Sequence, residues 1–240
     1  MSSLAYFYHH CSFSQNATLQ LSEESAKHIV QVLRMKEGER ILLNNGEGQS
    51  AEATIISAEK KRCSVHINQV HQYSKAPFGL HLCVAFTKNA SRNEWLLEKA
   101  TELGVSSITP IISARSEREK FRIDRWQNIL ISAMLQSQQH YLPQLNEATK
   151  FTQILKSHEN TEQKLIAHCE VDFERMPIAS LIAPQQNTVI LIGPEGDFSP
   201  DEINLAMQSH FKGTILCNQR LRTETAAMAV CAYFNLLNNE

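Results

Sequence analysis

The residues best placed to bind a ligand surround a sharp turn that follows a mainly apolar stretch, residues 188–192. Such a stretch is typical of a strand buried on both faces. Two glycines, Gly193 and Gly196, flank the turn, and Ser199 and Glu202 then form the signature of a capped helix. Ligands of open α/β sheets bind where strands end, and glycine lets a ligand approach the backbone. The segment matches neither GxGxxG nor a P-loop, which disfavours a phosphate site, and an ordinary strand-to-helix turn is the alternative.

A second polar loop precedes the last predicted helix. It carries Arg220 and Arg222, and Thr223 has the hydroxyl expected of a helix cap. Cations are unfavourable near the positive end of a helix dipole unless they face an anion or a partner. The two arginines therefore indicate either an anionic ligand or salt bridges to Glu224 or Asp201. The residues that follow are mostly small and apolar, which predicts a buried, closely packed helix.

Strands and helices alternate in the second part of the chain, and this pattern sets the expected fold. Strands separated by helices of ten or more residues need crossover connections, so the pattern predicts parallel pairing and an α/β fold. The predicted strands are residues 80–86, 107–112, 164–168, 188–192 and 214–216, and the predicted helices are 92–103, 124–139, 200–209 and 224–237.

The first part of the chain has a different pattern, short β-branched stretches with one helix near residues 23–34. Residues 74–79 are polar and contain proline and glycine, which is typical of a linker. We therefore expect two domains, residues 1–73 and residues 74–240. The strands of the first domain, which resemble those of a small barrel, are predicted at residues 40–43, 51–58 and 63–70.

Composition and charge exclude several classes of protein. Apolar residues make up 42% of the 240 residues and charged residues 20%, without a long block of one sign, which excludes a disordered or low-complexity chain. No apolar run reaches the ~18 residues of a membrane span, and the first residues do not resemble a secretion signal, so we expect a cytoplasmic protein. The net charge of −2 argues against a nonspecific nucleic-acid binder, although local basic patches leave RNA as a partner.

The cysteines and histidines are not spaced like metal ligands. None of the six cysteines belongs to a CxxC pair, and the adjacent residues His9 and His10 have no third group at ligand spacing. The sequence therefore predicts reduced thiols and no metal site.

Four stretches, at residues 28–38, 98–116, 193–196 and 221–226, occur in the order found in a known protein family. They resemble the bacterial 16S ribosomal RNA uridine-N3 methyltransferases, and the resemblance covers both predicted domains. It implies an N-terminal PUA-like β-barrel domain and a SPOUT-type, trefoil-knotted α/β methyltransferase domain. It also implies S-adenosylmethionine as the methyl donor, a uridine in the 16S rRNA of the small ribosomal subunit as the target, and a homodimer.

The resemblance assigns the methyl donor to the two loops described above and requires no metal. Backbone groups of these loops are expected to bind the adenine, with Ile192, Leu216 and Leu221 as apolar walls. The residues expected to bind the donor are Ile192, Gly193, Pro194, Glu195, Gly196, Leu216, Cys217, Asn218, Leu221, Thr223 and Ala226.

Methylation of an imide nitrogen requires removal of its proton. Glu195 or Glu224 could accept the proton, or Arg222 could stabilise the uridine anion so that water takes it. Trp95 and Trp126 could stack on bases, but their neighbouring leucines and isoleucines favour packing in the core. Contacts to RNA phosphates are expected from basic residues of both domains, namely Arg34, Lys36, Lys88, Arg92, Arg115 and Arg118.

Several residues differ from the commonest family pattern, among them Gln139, Asp197 and Gln219. Cys217 stands where the family often has glycine, and its Cβ would obstruct a positive φ. These differences raise two alternatives. One is a ribosome-binding scaffold that has lost donor binding, and the other is a SPOUT enzyme that methylates another base or a ribose 2′-hydroxyl.

Overall fold

The computed structural model describes residues 4–116 and 122–239, and the chain divides into two compact units. The first unit is Met1–Lys75 together with Met134–Leu142. The second unit is Ala76–Ala133 together with Pro143–Glu240. No helix in the described part of the chain has the length and apolarity needed to cross a membrane.

A five-stranded sheet forms the first unit, and it confirms the predicted β-rich organisation. Its strands are β1 (Tyr6–Tyr8), β2 (Thr18–Gln20), β3 (Arg40–Asn44), β4 (Gln49–Glu59) and β5 (Arg62–Gln72). They lie in the order β1-β3-β4-β5-β2, with β1 parallel to β3 and the other pairs antiparallel. The hairpin of β4 and β5 buries alternate residues, such as Ile55, Val65 and Ile67, in the core of the unit.

The helix predicted near residues 23–34 is only partly α-helical. Helix α1 spans Glu23–Lys27, and a π-helical turn follows at His28–Val32. Ile29 is fully buried, whereas Val32 and Leu33 are 67% and 43% exposed. The prediction of an α-helix was wrong for the second half of this segment, from His28 onward. The wider π turn interrupts the 3.6-residue spacing that would place all the apolar residues on one face.

A segment from the middle of the chain, Met134–Leu142, packs within the first unit. The Asn44 amide donates a hydrogen bond of 2.7 Å to the carbonyl of Gln139, and the backbone N–H of Gly48 donates one of 2.9 Å to the carbonyl of His140. The rings of His140 and Tyr73 stack with their centroids 3.4 Å apart. The first unit is therefore discontinuous in sequence.

Parallel strands with helices between them form the second unit, which confirms the predicted α/β fold. Its strands are β6 (Leu80–Val84), β7 (Ser107–Ile112), β8 (Gln144–Leu145), β9 (Thr149–Lys150), β10 (Gln163–Ala167), β11 (Met176–Pro177), β12 (Thr188–Ile192) and β13 (Lys212–Ile215). The remaining helices of the chain are α2 (Ala90–Glu102), α3 (Ile123–Gln136), α4 (Phe151–Ser157), α5 (Pro200–Gln208) and α6 (Thr223–Asn238).

The order of the strands decides which loops meet. The main sheet runs β11-β13-β10-β12-β6-β7-β8, every pair is parallel, and β9 pairs with β7. Every residue of β12 is buried, because β10 and β6 flank it and helices cover the sheet. In this register Ala167 of β10 lies beside both Ile192 of β12 and Thr214 of β13. The carboxyl ends of these three strands are therefore neighbours.

Candidate active site

A crevice of about 280 Å³ opens at the carboxyl ends of β13, β10 and β12. The end of β10 contributes Ala167, His168 and Cys169, between the loops that follow β12 and β13. All the predicted donor-binding residues except Gly196 line it, namely Ile192, Gly193, Pro194, Glu195, Leu216, Cys217, Asn218, Leu221, Thr223 and Ala226. The structure thus brings the two loops singled out in the sequence to one site.

Two hydrogen bonds join these loops. The buried hydroxyl of Thr223 donates to the carbonyl of Gly193 over 2.9 Å, and the Arg220 guanidinium donates to the carbonyl of Glu195 over 3.2 Å. The prediction that Thr223 caps α6 was wrong, because Arg222 occupies the cap position and no side chain caps this helix. The Thr223 hydroxyl instead crosses to the other loop and fixes the floor of the crevice.

The loop after β12 owes its shape to a glycine and to the helix that follows. A Cβ on Gly193 would lie 3.2 Å from the ring of Phe198, so a side chain at this position would require Phe198 to shift by a few tenths of an ångström. The predicted capping box of α5 is confirmed, since Ser199 and Glu202 exchange side-chain and backbone hydrogen bonds. Gly196 is not among the lining residues, and its carbonyl accepts a hydrogen bond of 2.8 Å from Arg115.

Asp197 shows how the chain accommodates a difference from the family pattern. Its φ is 64°, in the left-handed region that favours glycine. One carboxylate oxygen accepts a hydrogen bond of 2.7 Å from the backbone N–H of Cys169, and the other accepts one of 2.8 Å from the N–H of Phe198. Short acidic side chains tolerate this conformation when they bond the local backbone. Asp197 therefore joins the loop after β12 to the end of β10.

His168 is the residue of the crevice that sequence reasoning missed. It is only 5% exposed, and neither ring nitrogen has a partner in good hydrogen-bonding geometry among the described residues, although the Asp197 carboxylate and a looser contact with the Glu170 backbone favour the protonated ring. Burial lowers the pKa of His168 below its ordinary value. The ring packs on Gly213, whose Cβ would lie 2.9 Å from Nε2. Since buried polar atoms are nearly always paired, His168 indicates a ligand that supplies the missing partner.

The two candidate general bases share one arginine. Arg92 Nη1 lies 3.1 Å from Oε1 of Glu195, and Arg92 Nε lies 3.5 Å from Oε1 of Glu224. Arg92 is one of the residues predicted to contact RNA, and the structure places it between the two glutamates. The second oxygen of Glu224, Oε2, is buried and has no hydrogen-bond partner. Glu224 therefore keeps one acceptor atom available, whereas the side chain of Glu195 is 51% exposed.

Arg222 is exposed at the N-terminus of α6. In the described part of the chain, the salt bridges considered from the sequence do not form, because Glu224 pairs with Arg92, and Arg220 bonds the backbone of Glu195. The salt-bridge interpretation of the two arginines was therefore wrong.

A second cavity, of about 350 Å³, adjoins Glu224 and Arg92. Trp95 also lines it and is 45% exposed. The expectation that Trp95 packs in the core was wrong, because Leu96 and Leu97 occupy the buried face of α2. The same expectation for the other tryptophan is confirmed, since Trp126 is 1% exposed.

The remaining basic residues predicted to contact RNA are spread over both units. Arg34 and Lys36 are exposed residues of the first unit, next to the π-helical turn. Lys88 is an exposed residue of the second unit, just before α2. Arg115 donates to the carbonyls of Gly196 and Phe198, so it braces the loop after β12. Arg118 lies outside the described residues.

Cys217 does not obstruct its loop. It is not among the residues with positive φ in the part of the chain that the structure describes, and its side chain is exposed. Its thiol donates a hydrogen bond of 3.0 Å to the carbonyl of Gln219. The concern raised by the sequence was therefore wrong, because the backbone here does not need glycine.

Comparison with known proteins places these features in context. A family model for an RNA methyltransferase domain matches residues 74–235, and one for an RNA methyltransferase PUA domain matches residues 21–68. The chain is 33% identical to a "probable rRNA-methyltransferase" structure from Porphyromonas gingivalis, with 98% of each chain covered and a TM-score of 0.89. It is 29% identical to the ribosomal RNA small subunit methyltransferase E of Neisseria gonorrhoeae, solved bound to S-adenosyl methionine, with 98% of each chain covered and a TM-score of 0.84. The enzyme of the same name from Bacillus subtilis is 26% identical over 88% of this chain and 87% of its own length.

Proposed function

The chain belongs to the RNA methyltransferase family in which a PUA domain accompanies the RNA methyltransferase domain, and on this basis we propose that it methylates N3 of one uridine in 16S ribosomal RNA. S-adenosylmethionine is the methyl donor. The observation that carries the proposal is the hydrogen bond from Thr223 to Gly193, which joins the two late loops into one crevice.

The residues of the crevice suit this donor. An adenine ring needs apolar walls and a few polar groups at its edge. Ile192, Leu216 and Leu221 supply the walls, and the loop backbones supply hydrogen-bonding groups. The buried nitrogens of His168 supply a further polar contact. When bound, the donor supplies a methyl group made electrophilic by its sulfonium.

Glu224 accepts the N3 proton of the target uridine. Its Oε2 atom is buried and unpartnered, while its Oε1 atom is held by Arg92. A carboxylate held by an arginine at one oxygen keeps its other oxygen as an unpaired acceptor, which general-base catalysis requires. Arg222 stabilises the negative charge that develops on the uracil oxygens. Glu195 holds Arg92 in place from the crevice side.

The target base occupies the second cavity, where the exposed face of Trp95 provides a stacking surface. The exposed basic residues Arg34, Lys36 and Lys88 contact RNA phosphates and position the strand without reading its sequence. We further propose that the protein acts as a homodimer in the cytoplasm, on the small ribosomal subunit.

Methyl transfer from labelled S-adenosylmethionine to undermethylated small subunits tests the proposal, with mass spectrometry of the digested RNA to locate the methyl group. We expect the label on N3 of a single uridine. A methyl group on a ribose oxygen or on another base would overturn the assignment of the target. Calorimetric titration with the donor tests the scaffold alternative, which requires that no binding occurs.

A further inference from the structure

A second group of reactive side chains lies in the same unit, outside the crevice lining. His81 and Cys83 are two residues apart on β6, so their side chains share one face of the sheet. His158 follows the last turn of α4, and its ring lies 4.6 Å from that of His81, measured between the ring centroids. The ligand atoms of these three residues all lie within 4.8 Å of one another.

The protons of this group can be assigned from its hydrogen bonds. His158 Nδ1 lies 2.9 Å from the carbonyl oxygen of Ile154, which can only accept, so this nitrogen carries the proton. In the neutral ring His158 Nε2 then has the lone pair, and it accepts from Nδ1 of His81 over 2.8 Å. His81 Nε2 is then also an acceptor, facing the Thr109 hydroxyl at 2.7 Å. Metal ligation requires both rings in this neutral form.

We propose that His81, Cys83 and His158 form a binding site for one zinc ion. The ligand atoms are Nδ1 of His81, Sγ of Cys83 and Nε2 of His158. Zinc binds nitrogen at about 2.0–2.1 Å in tetrahedral geometry, which places two ligand nitrogens roughly 3.3 Å apart. The two imidazole nitrogens, now 2.8 Å apart, need to separate by about 0.5 Å to admit the ion, and Sγ of Cys83, which lies within 4.8 Å of them, needs to approach by up to about 1 Å.

Hydrogen-bond partners for the histidine ring nitrogens that would not bind the metal are already present around this group. Metal-bound histidines donate their other ring N–H to a fixed acceptor. The carbonyl of Ile154 serves His158 in this way. On zinc binding, His81 moves its proton from Nδ1 to Nε2 and donates it to Thr109. The Thr109 hydroxyl is also within hydrogen-bonding reach of Cys83, so it can turn toward the sulfur.

The proton balance of binding is simple. Each histidine keeps one ring proton, and the Cys83 thiol loses its proton to solvent as the zinc–sulfur bond forms. No electron is transferred. Zinc binding to this site therefore releases one proton per chain, and its affinity rises with pH.

An open cavity of about 760 Å³ adjoins the two histidines and gives the ion a route from solvent. Two imidazoles and one thiolate are a ligand set that zinc favours over magnesium or calcium, which prefer oxygen.

Titration of the full-length, chelator-treated protein with zinc, and in parallel with cobalt as a coloured substitute, tests the site. We expect one zinc ion per chain and a thiolate-to-cobalt charge-transfer band. The His158→Ala variant, which removes a partly exposed side chain, should bind zinc at least about 100-fold more weakly. Cys83→Ala should lose the charge-transfer band, whereas Cys231→Ala, which removes another fully buried thiol, should keep it.

Thermal melting of each variant without metal shows whether it is folded, and His158→Ser and Cys83→Ser replace any variant that is not. Failure of the wild-type protein to bind one zinc ion would overturn the proposal. Unchanged zinc affinity in the folded His158 variant, or a charge-transfer band that persists without Cys83, would also overturn it, because the ion would then lie elsewhere.

Discussion

Two histidines of the second unit, His81 and His168, line different cavities, and their surroundings differ in one respect. Both ring nitrogens of His81 have partners, Thr109 and His158. Neither ring nitrogen of His168 has a partner in good hydrogen-bonding geometry among the described residues. A hydrogen-bond network in which every polar group has a partner stabilises the fold without a ligand. A buried polar group without a partner carries a desolvation cost, which a ligand can relieve by bonding to it. The difference indicates that the crevice at His168 is completed by its ligand, and that the network at His81 is complete before any ion binds.

The largest expected effect concerns catalysis at the crevice. Arg222→Ala should reduce methyl transfer by roughly 100- to 1,000-fold, because the variant loses the cation that stabilises the uridine anion. Binding of S-adenosylmethionine should stay within about twofold of the wild-type value, since Arg222 is exposed and its charge serves the acceptor. Single-turnover transfer rates and calorimetry measure the two effects. Lys212→Ala, which removes an exposed cation from β13, is the control, and a rate equal to that of this control would contradict the role of Arg222.

A larger residue at position 213, which would crowd His168, should have the next largest effect on donor binding and stability. A Cβ on Gly213 would lie 2.9 Å from Nε2 of His168 and would overlap the carbonyl of Glu174. Gly213→Ala should therefore lower the free energy of unfolding by about 1–3 kcal/mol and weaken donor binding by a comparable amount. Urea denaturation and calorimetry measure the two quantities. Gly38→Ala is a useful reference for stability, because a Cβ at that position would have no other atom within 4 Å, so this variant reports backbone strain alone. Unchanged donor binding in Gly213→Ala would show that His168 does not contact the donor.

The direct test of the comparison exchanges the two histidines for alanine one at a time. His168→Ala should weaken donor binding by about 1–2 kcal/mol, that is roughly 5- to 30-fold, with little loss of stability. His81→Ala should lower the free energy of unfolding by about 1–3 kcal/mol, because Thr109 and His158 lose their partner, and it should leave donor binding unchanged. Urea denaturation without metal and calorimetry of both variants, with exposed His210→Ala as control, separate the outcomes. Equal losses of stability in both variants, with donor affinity unchanged in both, would contradict the proposed difference between His81 and His168.

The smallest effect is expected at Cys217. Its side chain is exposed and its backbone does not have a positive φ, so Cys217→Gly should change donor affinity by less than about twofold. Calorimetry with S-adenosylmethionine measures this. A gain of tenfold or more would mean that this thiol narrows the crevice.

Much of the fold and part of the site follow from local patterns. The uninterrupted apolar stretch of β12, the box formed by Ser199 and Glu202, and the alternation of strands and helices each depend on residues close in sequence. The two late loops were identified for the same reason, because each combines turn residues with the start of a helix. The same patterns misjudged Thr223 and Trp95, whose environments depend on other segments.

The amino-acid sequence alone determined the class of the fold and the two loops of the crevice, because these depend on short-range spacing of residue types, and its motifs carried the resemblance to the family. Only the tertiary structure placed β10 between β12 and β13, and so brought His168 into the crevice. Only the tertiary structure also brought His158 to His81 and Cys83. Strand order and helix packing create neighbours across long stretches of chain, and no local spacing encodes which distant side chains will share one cavity.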